Sequence, residues 1–466
     1  MAVLVIILPL CFIRSVETLE RTPVTYMMLK WEKYDAFLAA AGKCFEGIWN
    51  NAHPERPIRI CYEAVGGRYN MKLNTRAVAN TLPDIFVVQD YIHYAKKGLL
   101  LDLTPYIERN QDDDFLGQVP PMIIDSLKLD GKLHALPSSL GTEVMYYNRR
   151  LFRQAGVPYP DETWDWSRML DAAHRLTVRD GRGRVCQYGM MVGMSWIQFL
   201  QYNGADVWSK DLNRCIIDSK ESREAMQFLL DLAYRHGVAP EPPESGMNEG
   251  TPEFIQERVA MFIGNRWHTA FFRNAKNLDW AVAPLPRSFT GLRRARASFY
   301  VLAIHAETPH PDIAYAFLKY LAGPEQNREF VSQGVAIPMC NPAHYDEVWS
   351  DLPEEAGAIR AYQLTMQDAI SRYDRSFVHP ELKLEVWRWR AKSIMGQCIK
   401  QRITVPEAFA QLERALQSDL ESARAGPPCI LPSRKSMLVI SVVTVLVLVL
   451  WLKNLRKRLE RSSSLS

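Results

Sequence analysis

The sequence lacks the short motifs by which several large enzyme classes are recognised. It contains no H-E-x-x-H, no G-x-S-x-G, no G-x-x-x-x-G-K-[ST] and no G-x-G-x-x-G. These motifs mark zinc proteases, serine hydrolases of the α/β type, phosphate-loop NTPases and dinucleotide-binding enzymes. The sequence gives no positive argument for catalysis, and we expect no catalytic residues and no cofactor.

The sequence also lacks a recognisable metal site. Its eight cysteines are scattered, none forms C-x-x-C, and no Cys/His set has zinc-finger spacing. The acidic run at 112–114 is interpreted as a solvated loop or helix start, and 180–189 (DGRGRVCQYG) as a turn into a strand, because the later acidic ligands of a calcium loop are missing. Scattered buried thiols are the favoured interpretation of the cysteines, with one or two disulfides left open if the chain is exported.

A basic field over the body of the chain is missing as well. The net charge is +4, and residues 453–466 hold five Lys/Arg and one Glu. The remaining residues therefore sum to about zero, which argues against binding to a nucleic-acid backbone.

Two uniformly apolar segments are present. Residues 2–13 (AVLVIILPLCFI) have the length of a signal-peptide core, and residues 437–452 (MLVISVVTVLVLVLWL) contain no charge and no proline. The heavier basic flank follows the second segment, so its C-terminal side is expected in the cytoplasm. We predict a signal-like or membrane-targeting segment at 1–20, a linker at 425–436, a transmembrane helix at 437–453 and a basic cytoplasmic tail at 454–466.

Between these segments, strand-like and helix-like patterns alternate, which predicts an α/β fold with a largely parallel sheet. Asp90 follows a predicted strand, where ligands of such sheets tend to bind. On the first predicted helix we expect a buried stripe of Phe37, Ala41, Cys44, Phe45 and Ile48. The patterns that open the chain are strands at 24–28, 58–65 and 83–89 and helices at 35–52, 68–80 and 91–100.

The stretch 143–166 (EVMYYNRRLFRQAGVPYPDETWDW) is dense in residues that end and begin helices. Gly156 is placed for a left-handed helix C-cap, and the prolines that follow prevent continuation. Thr163 is predicted to cap the next helix, with Asp165 in its first turn. This punctuation joins two helices at a fixed angle.

The order of segments over about 22–345 resembles the extracellular solute-binding proteins of sugar-type ABC importers, the maltose-binding-like family. The residues that carry the resemblance are RYNMKLNTRAVANTLPDIFVVQD, YAKKGLLLDLTPYI, DGKLHALP, MYYNRRLFRQAGVPYPDETWDWSRMLDAAHRLT, RVAMFIGNRW, DWAVAPLP and HPDIAYAFLKYLAGPEQNREFVSQGVAIPM. The sequence departs from the family at Trp166, where an acidic residue is usual, and in its added C-terminal membrane helix.

The resemblance implies a two-lobe periplasmic-binding-protein fold of type II, with a hinge and a ligand cleft between the lobes. The solute-binding domain would span 21–424. Lobe 1 is expected at about 21–138 and 282–340, and lobe 2 at about 139–281 and 341–424.

A sugar cleft needs aromatic faces for the ring and polar groups for its hydroxyls. On the family's pattern, the expected ligand-binding residues are Trp31, Arg68, Gln89, Asp90, Glu143, Tyr146, Trp196, Asn265, Trp267 and Tyr300. Only one of Tyr146 and Tyr147 should face the cleft, and we choose Tyr146.

The function that the resemblance implies is a membrane-tethered substrate-binding protein. It would capture a carbohydrate or polyol outside the cytoplasmic membrane and pass it to permease subunits powered by a cytoplasmic ATPase. Two alternatives stay open: a ligand-sensing ectodomain of a membrane signalling complex, and an extracellular sugar-processing enzyme.

Overall fold

The computed structural model describes residues 20–30, 34–111, 113–243, 250–349, 356–382 and 384–425. Residues up to 417 form one unit, and a second begins at 418, of which only the end of the last helix is described. Both apolar segments, 2–13 and 437–452, lie outside the described residues. Within those residues, no helix is both long and apolar enough to cross a membrane.

The strands of the described chain are short and spread over its length. They are β1 (Thr22–Leu29), β2 (Ile58–Val65), β3 (Ile85–Val87), β4 (Lys128–Leu129), β5 (Lys132–Leu133), β6 (Ala135–Gly141), β7 (Glu143–Asn148), β8 (Val178–Arg179), β9 (Val185–Val192), β10 (Val259–Asn265), β11 (Trp280–Ala283), β12 (Arg296–Ile304) and β13 (Ile370–Ser371).

The helices lie mainly between the strands and after the last long one. They are α1 (Asp35–Ala52), α2 (Tyr69–Val78), α3 (Tyr91–Lys96), α4 (Thr104–Asn110), α5 (Asp113–Gln118), α6 (Pro121–Leu127), α7 (Arg149–Ala155), α8 (Trp166–Leu176), α9 (Trp196–Tyr202), α10 (Lys220–Tyr234), α11 (Thr251–Ile255), α12 (Thr269–Phe272), α13 (Pro311–Ala322), α14 (Pro324–Ser332), α15 (Tyr345–Trp349), α16 (Ala356–Gln367), α17 (Leu384–Ile399) and α18 (Val405–Ala425), with 3₁₀ turns at Arg266–His268 and Pro342–His344.

Two large mixed sheets organise the unit. The first has the order β13-β12-β3-β1-β2 with β6 also paired to β12, and the second has the order β11-β7-β10-β9-β8. Strand β1 pairs in parallel with β2 and β3, whereas β12 pairs antiparallel with both β3 and β6. In the second sheet only the pair β10–β9 is parallel. The α/β prediction is confirmed. Parallel pairing is also confirmed for β1, β2 and β3, the strands from which it was predicted. It does not extend to the second sheet, where β7 and β11 both run antiparallel to their neighbours.

Between consecutive strands of the described residues, the chain passes from one sheet to the other at two places. The first is Thr142, fully buried between the end of β6 and the start of β7, and the second is the segment between β11 and β12. Strand β13 pairs with β12 although it lies within 341–424, which we assigned to lobe 2. The later residues of that range pack on the second-sheet side, where the Tyr234 hydroxyl donates to the carbonyl oxygen of Ile399. The lobe boundaries remain a prediction.

Helix α1 has the predicted bounds but buries a different stripe. Ala41 and Phe45 are buried as expected, together with Gly42, whereas Ile48 is 56% exposed. A Cβ atom at Gly42 would lie 2.9 Å from Cγ2 of Ile60. The close approach of α1 to β2 at this glycine turns Ile48 towards solvent, and the predicted stripe is wrong at that residue. Cys44 is exposed for the same reason.

The stretch 143–166 ends and begins helices as predicted, with one exchange of roles. Gly156 has φ of 61° and ends α7. Helix α8 begins at Trp166, and the Asp165 carboxylate, not the Thr163 hydroxyl, accepts the hydrogen bond from the Arg168 amide at 2.8 Å. Thr163 instead donates its hydroxyl and its amide to the carboxylate of Asp161. The predicted cap at Thr163 is therefore wrong, because the Thr163 side chain is bonded to Asp161 in a local turn.

Trp166 forms part of the core of the second-sheet side. It is 1% exposed, and its ring stacks on Phe199 and Phe228 at centroid distances of 4.7 and 4.9 Å. An acidic residue at this position would lie at the surface and cap the helix. The tryptophan that this chain has instead fills the core.

The described cysteines are free thiols, and no disulfide forms among them. Cys11 and Cys429 lie outside the described residues. Cys215 and Cys398 are buried as expected. The expectation of burial is wrong for Cys44 and Cys186, which are exposed, and holds only in part for Cys61 and Cys340, which are half-buried.

Candidate functional site

A cavity of about 190 Å³ opens where the two sheets meet. The end of β6 and the start of β12 contribute from the first sheet, and the end of β10 contributes from the second. The cavity therefore joins residues that are far apart in sequence and that belong to different sheets. Its lining residues are Ser139, Gly141, Met194, Asn265, Trp267, Arg296, Ser298, Phe299, Tyr300, Val335 and Arg372.

Strand β12 supplies a row of polar side chains to this cavity. Arg296, Ser298 and Tyr300 keep partial exposure, while Ala297 and Val301 are buried. This alternation follows from the period of two along a strand. Burial raises the pKa of the Tyr300 hydroxyl, so it stays protonated and can both donate and accept a hydrogen bond at neutral pH.

A β-bulge lies opposite this row, in β6. Ser298 pairs with Gly141 and Tyr300 pairs with Ser138, so β6 carries one residue more than β12 between the two pairs. Ser139 has φ of 50°, a left-handed conformation that is uncommon for residues other than glycine. Bulges redirect side chains and concentrate beside functional sites. Here the bulge accompanies the entry of Ser139 into the cavity lining.

Gly141 lets the two sheets approach each other at the cavity. A Cβ atom at Gly141 would lie 2.8 Å from Oδ1 of Asn265. The Asn265 amide is fixed on its other side, because Nδ2 donates to the Ser298 hydroxyl at 2.8 Å. Asn265 thus links the end of β10 to β12 and presents its amide at the junction of the sheets.

A buried ion pair stands behind the cavity. Glu143 is fully buried, and its Oε2 accepts a hydrogen bond from the Arg296 amide at 2.8 Å. Its Oε1 lies 3.7 Å from Nε of Arg296. Burial raises the pKa of the Glu143 carboxyl, and the charge of Arg296 opposes that shift. Glu143 therefore orients Arg296 and does not itself line the cavity.

Trp267 is the large aromatic residue at the cavity edge. It is half-buried in the 3₁₀ turn that follows β10, its ring stacks on that of His268 at a centroid distance of 3.6 Å, and Phe271 meets it edge-on at 5.9 Å. These neighbours support the indole while part of it remains accessible.

Arg372 closes the cavity from the far side of β12. It directly follows β13, and its amide donates to the Ala297 carbonyl oxygen at 3.0 Å. Its guanidinium Nη1 donates to the Phe299 carbonyl oxygen at 3.2 Å, and Cζ lies 5.1 Å from the centroid of the Tyr373 ring.

Of the ten predicted site residues, Asn265, Trp267 and Tyr300 line this cavity. Tyr146 does not. It is fully buried, and its hydroxyl donates to the backbone of Asn265 and Arg266 and bonds the Thr269 hydroxyl at 2.9 Å. Tyr147 is buried too, so neither tyrosine of the pair faces the cavity. The expectation for Tyr146 is corrected because both faces of the second sheet are covered at β7.

Four other predicted residues also lie outside the lining. Gln89 accepts a hydrogen bond from the Asn70 amide at 3.0 Å, and Asp90 borders a separate groove between α2 and α3. Arg68 is exposed at the start of α2 with φ of 70°. Trp196 is buried and stacks on Trp387 at 6.2 Å.

Trp31, the tenth predicted residue, lies outside the described residues. Among the residues that are described, no group of three or more His, Cys, Asp or Glu side chains could hold a metal ion.

Several lining residues were missed from the sequence. Arg296 and Ser298 follow from Tyr300 by counting back in steps of two along a strand, and that signal was available. Ser139 depends on a bulge and Arg372 on a two-residue strand distant in sequence, and neither leaves a local pattern that predicts it.

Comparison with known proteins agrees with this architecture. The family described as bacterial extracellular solute-binding protein matches residues 31–328. An arabinooligosaccharide-binding protein of Halalkalibacterium halodurans is 25% identical over 299 residues, which are 60% of this chain and 64% of that relative, less than two thirds of its length. A mannitol-binding protein of Pseudomonas aeruginosa is 26% identical over 213 residues, 44% of this chain and 48% of the relative.

The fold has solved counterparts. An ABC substrate-binding protein of Listeria monocytogenes, in complex with cycloalternan, superposes with a TM-score of 0.70 over 86% of this chain and 100% of that chain, at 20% identity. At this identity the likeness shows the two-lobe fold.

Proposed function

The chain belongs to the bacterial extracellular solute-binding proteins, and from that membership we propose that it captures a carbohydrate or related polyol in the cavity between its two sheets. It would bind its ligand without chemical conversion and deliver it to the permease subunits of an ABC importer, which a cytoplasmic ATPase powers.

The composition of the cavity is the observation that carries this proposal. Trp267 and Tyr300 offer apolar ring faces of the kind that cover the C–H faces of a sugar, and Asn265 and Ser298 offer amide and hydroxyl groups for its hydroxyls. Such convergence of aromatic and polar groups in a concave site is typical of small-molecule recognition. The names of the relatives above, which bind an arabinooligosaccharide and mannitol, support the same ligand class.

Delivery requires a change between open and closed forms. We propose that Thr142 and the segment between β11 and β12 act as the hinge, since these are the places where the chain passes from one sheet to the other. Closure would bring Trp267, which follows the second sheet, and Tyr300 of the first onto opposite sides of the ligand.

We further propose that the binding domain lies outside the cytoplasmic membrane. Residues 437–453 would anchor it, with the basic tail 454–466 on the cytoplasmic side. A reporter fused after Ser466 should be active only in the cytoplasm, and activity only outside would contradict this orientation.

The experiment for ligand capture is a thermal-shift screen followed by calorimetric titration. Arabinooligosaccharides, maltotriose and mannitol are suitable probes, and a ligand at a hundredfold excess over its dissociation constant stabilises the folded state by about 3 kcal/mol. Trp267→Ala should weaken binding by about tenfold or more while the variant stays folded. Trp389→Ala, which removes a tryptophan that is 64% exposed on α17, is the matched control and should bind as the wild type does. Unchanged affinity in Trp267→Ala would show that the ligand does not bind in this cavity.

A further inference from the structure

We propose that the cavity selects a sugar or polyol that carries an anionic group, a carboxylate or a phosphate, and that Arg372 binds this group. The inference rests on the proposed function, because it names the class of ligand that the same cavity would take.

The charges that line the cavity are of one sign. Arg296 and Arg372 contribute guanidinium groups, and no carboxylate of the described residues lines the cavity. The charge of Arg296 is met from behind by Glu143, whose Oε1 lies 3.7 Å from Nε. Arg372 has no such partner, since none of the described carboxylates forms an ion pair with it. The positive charge of Arg372 is therefore available to pair with an anionic group of the ligand.

The guanidinium of Arg372 has donors to offer. One N–H donates to the Phe299 carbonyl oxygen at 3.2 Å, and the Tyr373 ring holds the group by a cation–π contact at 5.1 Å. A guanidinium carries five N–H donors in a planar fork that matches a carboxylate or a phosphate. The two contacts hold the fork in position and leave donors for a bidentate interaction with an oxyanion.

Arg266 is a structural arginine, and its surroundings differ from those of Arg372. It is fully buried, and its guanidinium donates to the Ala336 carbonyl oxygen, to Thr269 and to the Tyr362 hydroxyl. Arg372 is half-buried at a cavity wall and uses one carbonyl oxygen among the described residues. Arg266 thus spends its donors on structural partners, whereas Arg372 is held in position with most of its donors left over.

Arg372 also lies beside the groups proposed to bind the sugar. Its amide bonds to Ala297, the residue before Ser298, and the Ser298 hydroxyl accepts from the Asn265 amide at 2.8 Å. An acidic sugar could therefore place its anionic group at Arg372 while its hydroxyls meet Ser298 and Asn265.

The test compares acidic ligands with their neutral parents on the full chain, by calorimetric titration. The panel is glucose, glucuronate and glucose 6-phosphate, galactose and galacturonate, and glycerol and glycerol 3-phosphate, with inorganic phosphate alone as a further probe. We expect at least one acid to bind about tenfold or more tightly than its neutral parent. Whether that acid is a uronate or a phosphate ester identifies the source of the anionic group.

Charge-changing variants assign the effect to a residue. Arg372→Gln should abolish the preference for the acid over its neutral parent, whereas Arg372→Lys should retain part of the preference. Arg375→Gln is the matched control: it makes the same change in net charge three residues away, where the guanidinium donates to the Lys128 carbonyl oxygen and lies outside the cavity lining.

The outcomes separate this inference from the proposed function. Neutral sugars that bind as tightly as the acids, in a manner that requires Trp267, would overturn the inference and leave the proposed function standing. Inorganic phosphate that binds as tightly as the sugar phosphates would also overturn it, because the sugar would then contribute nothing. If no sugar, polyol or acid in this panel or the screen above binds, the proposed function fails and the inference fails with it.

Discussion

Replacing Gly141 with alanine should weaken ligand binding while leaving the fold in place. The added Cβ would lie 2.8 Å from Oδ1 of Asn265 and 3.7 Å from the Ser298 hydroxyl oxygen. The Asn265 amide must move, and its hydrogen bond to Ser298 is lost with the movement. The atom that gives way is the end of a side chain, so the backbone of the two sheets need not shift.

In Gly141→Ala, the stabilising effect of alanine on the backbone and the loss of a hydrogen bond nearly cancel. The φ angle of Gly141 lies outside the left-handed region, so alanine fits the backbone and stabilises the fold by about 0.4–1 kcal/mol through the unfolded chain. Loss of the Asn265–Ser298 hydrogen bond costs about 0.5–1.5 kcal/mol. We therefore expect a change in the free energy of unfolding within about 1 kcal/mol. The loss of one amide contact with the ligand should reduce affinity about tenfold.

Urea unfolding and calorimetric titration measure these two quantities. Gly47→Ala is the control, because a Cβ at this helical position meets nothing within 4 Å. It should stabilise the fold by up to about 1 kcal/mol and leave affinity unchanged. A Gly141→Ala variant that binds with wild-type affinity would contradict a contact between Asn265 and the ligand. A variant that fails to fold would contradict the argument that only the Asn265 side chain must move.

Three further predictions concern residues away from the cavity lining. Tyr146→Phe should lower the free energy of unfolding by about 1–3 kcal/mol, since its buried hydroxyl serves three partners, and should leave ligand affinity within about twofold in a titration. Trp166→Ala should cost about 3–5 kcal/mol in urea unfolding, because it removes the ring that stacks on Phe199 and Phe228, and a cost below 1 kcal/mol would contradict that packing. Burial lowers the pKa of His305, so its contribution to stability is present above about pH 6.5 and is lost on acidification through the folded-state pKa. Thermal unfolding should therefore show a smaller loss of stability between about pH 7.5 and pH 5.5 in His305→Gln than in the wild type, and equal losses would contradict the shift.

The periodic elements of the fold were predictable from the sequence. Helix α1 and strand β2 have the predicted bounds, and Gly156 ends its helix in the predicted conformation. These features depend on neighbouring residues alone, through helical or strand spacing and through glycine at a left-handed position. The exposure of Ile48 was missed because it depends on how closely α1 approaches β2, which is a tertiary property.

The lining of the candidate cavity was predictable in part. Asn265 and Trp267 lie in RVAMFIGNRW, a stretch that carries the family resemblance, and both line the cavity. Tyr146 lies on a strand whose two faces are covered, and the alternation of its neighbours could not reveal that. Arg372 reaches the cavity through a strand of two residues paired with β12, a contact between distant parts of the chain that no local pattern signals.

The most direct test of the account is a crystal structure of the chain with the ligand that gives the largest thermal shift. We expect density for the ligand between Trp267 and Tyr300, with its hydroxyls against Asn265 and Ser298. A ligand bound elsewhere, for example in the groove beside Asp90, would contradict the claim that the junction of the two sheets is the binding site.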